Sequence, residues 1–189
     1  CDPHLVRVEK QISRVVRANG CESDSSMFID AEAFPVAPSA EDLSPWRASE
    51  SAFVQQLLGH GCASAATVEI GRMVVALEDI RIRDSILWDL ANGVYEPESV
   101  AESLSKLLPR LDANHGAALA TTAAICWWLH GNGAMANICI ARALSDSPHY
   151  SLAQMIRSVL DYALPPEFWL ASVNGLTRHE CLTGVDVTS

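Results

Sequence analysis

The chain has 189 residues, 49% hydrophobic and 19% charged, a balance that buries a core in one domain and excludes a disordered polymer. Asp plus Glu number 23 against 13 for Lys plus Arg, a formal charge of -10, which excludes nucleic acid and anionic membrane as partners. No basic run exists, the closest being Arg81-Ile82-Arg83, and the six cysteines form no Cys-x-x-Cys pair, so a reduced, cytoplasmic protein is expected.

In chain order, Asp2-Pro3 opens an expected surface helix whose apolar stripe is Leu5, Val8, Ile12, Val15 and Val16, stopped at Asn19-Gly20. Residues 21–45 read as a loop containing Pro35, Pro38 and Pro45, within which MFIDAEAF suits either a short strand or an extended arm. Ser44-Pro45 begins the next helix, with Trp46, Phe53, Leu57 and Leu58 inward and Gly59-His60-Gly61 as its stop. A further helix is expected from about Ser64 to Glu78 on Val68, Met73, Val74 and Leu77. Ile80 and Ile82 alternate briefly with arginines, but Ile86, Leu87 and Leu90 restore the helical period up to Gly93. Pro97 starts another helix on Val100, Leu104, Leu107 and Leu108, closed by Pro109.

The organising stretch runs from Asn114 to Trp169. Its first helix, capped by Asn114 and ending at His130, has only Thr121 and Thr122 as polar residues between Gly116 and Leu129. A helix apolar on every side belongs in the centre of the fold. This run is too short for a bilayer, which needs about 20 residues. Gly131-Asn132-Gly133 turns the chain into a second helix, from about Ala134 to Leu144, whose small residues allow close approach. Ser147-Pro148 should cap and start a third helix on Leu152, Ile156, Val159 and Leu160, with Pro165-Pro166 as its stop. After Trp169 the periodicity is weak and fraying is expected.

Trp127, Ala136, Ile140, Ala143 and Pro148 resemble the pattern of one tetratricopeptide unit, without a second copy about 34 residues away. The stretch WWLHGNGAMANICIARALSDSPHYSLAQMIRSVLDYALPPEFW resembles the C-terminal part of the actinobacterial domain of unknown function 4192 family. LEDIRIRDSILWDL is similar to that family's Arg-Asp segment, and ANGCESDSS stands where its members carry a linker. The resemblance implies an α/β N-terminal portion and a helical C-terminal portion, and no known activity. This chain would be the helical portion, and a start at Cys1 rather than methionine fits an excised fragment.

Chemistry is sparsely signalled. His179-x-Cys181 lacks the further ligands zinc requires, and Cys126 with His130 at i, i+4 reads as packing beside Trp127. Glu41/Asp42 and Glu96/Glu98 lie near helix starts, where acids complement the helix dipole. Nucleotide-loop, serine-hydrolase and zinc-protease signatures are absent, so neither catalytic residues, a cofactor nor a metal are expected. Polar residues in apolar helices, namely Arg83-Asp84, Asn137 and Arg142, either fix helix packing or contact a ligand or partner, and one ring of Trp127-Trp128 could do the same. Of the pair, Trp128 is the candidate partner contact and Trp127 the core anchor.

The expected fold is all-α, with seven to eight helices in one orthogonal, bundle-like domain holding a tetratricopeptide-like hairpin. Residues 1–45 form an N-terminal helix and arm, 46–170 the helical core and 171–189 a tail. The expected function is a cytoplasmic interaction, scaffold or regulatory domain of a larger protein, with a protein partner or self-association. The alternative is part of an enzyme or small-ligand-binding protein whose site lies in or against an N-terminal α/β portion, contacted by Arg83, Asn137 and Arg142.

Overall fold

The computed structural model describes residues 43–111 and 115–184. The expected N-terminal helix, the arm up to residue 42 and the Asn114 cap lie outside the described residues. Nine α-helices follow: α1 Leu43–His60, α2 Thr67–Glu78, α3 Ile80–Ala91, α4 Pro97–Leu107, α5 Ala117–Leu129, α6 Gly133–Asp146, α7 Ser151–Asp161, α8 Glu167–Val173 and α9 Arg178–Thr183. Two short 3-10 turns, Cys62–Ser64 and Leu108–Arg110, complete the regular structure of the described residues, which contain no strand. The all-α expectation holds.

The centre is α5. Every residue from Ala117 to Trp128 is buried, as an all-apolar helix demands. Its two threonines turn their hydroxyls back onto the carbonyls one turn earlier, Thr121 to Ala117 at 2.7 Å and Thr122 to Ala118 at 2.9 Å, so neither brings an unmet donor into the core. α2, α4, α6 and α7 pack around it. Gly116, just before α5, is set by close approach, because a Cβ there would stand 2.6 Å from the buried Asp146 carboxylate.

The helix starts follow local chemistry. Pro97 occupies the first turn of α4, where its missing N–H costs nothing. Asn132 caps α6 by accepting from the Met135 amide at 3.1 Å. Asp79 caps α3 by accepting from the Arg81 and Ile82 amides at 2.9 and 3.1 Å.

Three expectations are corrected. Ser147 ends α6 instead of starting α7, because its amide already donates to the Ala143 carbonyl at 2.9 Å; Pro148 lies in the turn and α7 begins at Ser151. The stop of α7 is not the proline pair but a Schellman motif: Ala163 adopts φ 50, its amide bonds Leu160, and the Leu164 amide bonds Val159, both at 3.0 Å. Pro165-Pro166 instead opens α8. Beyond Trp169, where little periodicity is legible, the chain completes α8 and forms α9, the latter lying against α3 and α1.

Helix α1 keeps Leu58 buried as expected, but the centre of its inner face is shifted toward polar residues. Its buried line is Glu50, Ser51, Val54 and Leu58, while Trp46, Phe53 and Leu57 pack at the flanks. Polar residues go inward here because partners await them. Arg72 donates to Glu50 at 2.7 and 2.8 Å and lies 4.0 Å over the Phe53 ring, so the acid is paired and the aromatic flank covers the pair.

Candidate functional site

The residues singled out by sequence occupy several separate clamps. Buried Arg83 bonds Asp84 through Nε and Nη2 at 3.0 and 2.7 Å and donates Nη1 to the Tyr150 hydroxyl at 2.9 Å, tying α3 to the start of α7. Burial opposes the Arg83 charge, but Tyr150 and Asp84 outweigh it and its pKa is raised. Asn137 donates to the Gly133 carbonyl at 2.9 Å and accepts from Arg157 at 3.0 Å, joining α6 to α7. Arg142 holds buried Asp146 at 2.8 Å and reaches the Leu111 carbonyl at 3.2 Å. Each of these groups is engaged within the chain.

The two indoles are buried to similar extents, Trp127 at 7% exposure and Trp128 at 5%. Trp127 donates to Ser105 Oγ at 3.0 Å, beside the edge of His130. Trp128 donates to the Leu164 carbonyl at 3.0 Å and meets the edge of Trp169, so it pins the turn between α7 and α8.

A different group of residues forms the most concentrated polar site among those described. Ser85 and Asp89 stand one turn apart on the inner face of α3, opposite Ser51 and Gln55 of α1. Asp89 is 1% exposed and Ser51 fully buried. Gln55 Nε2 donates to Asp89 Oδ2 at 2.9 Å. From α9, Arg178 Nε reaches Asp89 Oδ1 and Oδ2 at 2.9 and 3.1 Å, and its Nη2 reaches Ser51 Oγ at 2.6 Å. Ser85 donates to the Ile82 carbonyl at 2.7 Å. Its single proton is thereby used, so Ser51, 2.9 Å away, donates to Ser85 and accepts from Arg178.

That proton order defines the chemistry. Ser51 faces a cation and another hydroxyl rather than a base, so its hydroxyl is not activated as a nucleophile by these neighbours. Burial raises the Asp89 pKa despite the hydrogen bond and charge of Arg178 and the bond from Gln55. Burial, with Asp89 nearby, pushes the Tyr95 phenol up to about 12, so it stays neutral at ordinary pH. Just outside, the Trp88 indole donates to the Leu176 carbonyl at 2.8 Å. Sequence reading missed this site because each polar residue is unremarkable alone. Two signals point to it: Ser85 and Asp89 at i, i+4 among Ile82, Ile86 and Leu90, and the capping box Thr177-x-x-Glu180 that starts α9.

Other features offer less chemistry. An open cleft of about 370 Å³ between the end of α3 and α8 is lined by Ala91, Asn92, Leu170, Ala171, Val173 and Asn174, none of which titrates. Cys62, Cys126, Cys139 and Cys181 are free, and burial raises all four thiols. Among the described residues no group of three or more His, Cys, Asp or Glu could hold a metal ion, and no helix is long and apolar enough to cross a membrane.

In sequence comparison, the family described as "Domain of unknown function (DUF4192)" matches residues 5–167. No curated protein and no solved structure matches the chain at a significant level.

Proposed function

The chain belongs to that Domain of unknown function family, and from this premise we propose that it works as a cytoplasmic interaction domain, the helical docking or regulatory part of a larger protein. The observation carrying this reading is the placement of exposed apolar side chains. Of the eight large ones among the described residues, Met155, Tyr162, Phe168, Leu170 and Leu176 all fall from α7 to the start of α9, with Tyr162 79% and Phe168 65% exposed. Scattered apolar residues need no explanation, but the concentration of these five between Met155 and Leu176 marks a contact region. The partner is a protein or a second copy of the chain. Nucleic acid is disfavoured by the charge of -10. The burial of Trp127, Ala136, Ile140 and Ala143 supports tetratricopeptide-like packing of the α5–α6 hairpin, a scaffold suited to presenting such a surface. No catalytic residue and no cofactor belong to this reading.

Sedimentation velocity over a concentration series, with crosslinking and peptide mass spectrometry in native extract, tests it. The double substitution Tyr162→Ser/Phe168→Ser should abolish the associated species or the crosslinks while the thermal melt stays unchanged. Association and crosslinks that are indifferent to both substitutions would count against the reading.

A further inference from the structure

The Asp89 site has the form of a receptor with its ligand already in place. Its walls, Ser51, Gln55, Ser85, Trp88 and Asp89, belong to α1 and α3, within the span 5–167 that matches the family. The group that fills it, Arg178, comes from α9, beyond that span. Helices α8 and α9 contribute no fully buried residue of their own. What holds the α9 end is the half-buried Leu182 against the core together with polar contacts: the Trp88 indole on the Leu176 carbonyl, and two residues later the Arg178 guanidinium on Asp89 and Ser51. An element with few buried apolar contacts opens at a lower free energy than the core it covers. The capping box, in which Thr177 accepts from the Glu180 amide at 3.2 Å and Glu180 from the Thr177 amide at 2.6 Å, is internal to the segment and leaves with it.

We infer that the α1–α3 face is a binding site for an arginine-bearing peptide segment of a partner protein, and that residues 174–184 occupy it in cis as a displaceable mimic of that partner. The ligand class follows from the donors used. One guanidinium edge satisfies Asp89 through Nε while Nη2 serves Ser51, a fork that the single ammonium of lysine cannot reproduce. A backbone carbonyl two residues before the arginine meets Trp88. The acidic chain, at -10, favours a basic partner over a neutral one. This rests on reading the protein as an interaction domain and names the chemistry of one partner.

The test uses the full chain carrying Arg178→Ala and a fluorescent peptide of sequence NGLTRHECLTG, copied from residues 174–184. The peptide should bind saturably to this variant. Binding should weaken by roughly tenfold or more to the wild-type chain, whose site is occupied, and for a peptide with Lys in place of its Arg. It should vanish when Asp89→Asn is added. No binding to the folded Arg178→Ala chain, or binding indifferent to Asp89, overturns the inference. Hydrogen exchange of the wild-type chain decides independently if that variant does not fold. The amides of α9 should exchange well before those of α5 and faster still with excess peptide. Exchange of α9 together with α5 refutes a displaceable segment. If the peptide fails while association through Tyr162 and Phe168 persists, the pocket assignment falls and the interaction reading stands.

Discussion

Trp127 and Trp128 are neighbours in sequence, yet α5 turns their rings about 100° apart. Trp127 points toward α4, where Ser105 receives its N–H, and Trp128 points toward the α7–α8 turn and Trp169. The importance of Trp127 is legible from its place in an apolar helix; the burial of Trp128 is not, because its cover comes from residues 164 and 169. Truncation of either ring to Ala should cost about 3–5 kcal/mol in urea melts. The variants should differ in where they loosen: Trp128→Ala should speed proteolytic cutting around α8, and Trp127→Ala should not. At the same scale, Asp89 should titrate above its ordinary value of 3.8, since burial outweighs its partners. The sign for stability follows: the folded state binds this proton more tightly, so its contribution is full below 3.8 and is lost as pH rises through the folded value. A carboxyl carbon titration by NMR checks this. Because Arg178 lowers the value, Arg178→Ala should move the midpoint further upward. The pairing spans 89 residues, and no local pattern announces it.

Elements were legible where their ends are chemically marked. Pro97 and the glycine-rich turn before α6 place α4 and α6 within a few residues. α7 was misplaced because a Ser-Pro pair suits a helix start equally well in principle, and only the hydrogen bond of the Ser147 amide to Ala143 decides between start and end. α8 and α9 are too short to show a period. Asp79 illustrates how one residue joins elements: it caps α3 and also accepts from Arg47 of α1 at 2.9 to 3.1 Å. Asp79→Ala removes both roles and should cost about 1–2 kcal/mol for the cap alone. Asp79→Asn retains a capping oxygen and loses the ion pair, so its loss should be smaller. Thermal melts of the two variants, each with and without Arg47→Ala, separate cap from pair. Equal losses for Ala and Asn would show that the pair, not the cap, carries the effect.

For the whole molecule, the all-α class and the central helix were legible because one apolar run leaves α5 no face to give to solvent. The candidate site was not, because it is assembled from α1, α3 and α9, and the last of these is weakly patterned. The central position of α5 also makes a quantitative claim. Ala120, Ala123 and Ala124 are fully buried, so neighbouring helices approach its backbone without large side chains between. A close-packed interior resists added volume as it resists lost volume. Ala124→Leu must push a neighbour or leave its rotamer, which should cost about 1–3 kcal/mol. Ala141, on α6, is exposed, and Ala141→Leu adds the same atoms to solvent with an expected change within about 0.5 kcal/mol. Both keep good helix formers, so propensity does not separate them. Urea denaturation of the pair measures the difference directly. If Ala124→Leu is as well tolerated as Ala141→Leu, the helices around α5 are not in close contact with it, and the central packing described for this fold fails.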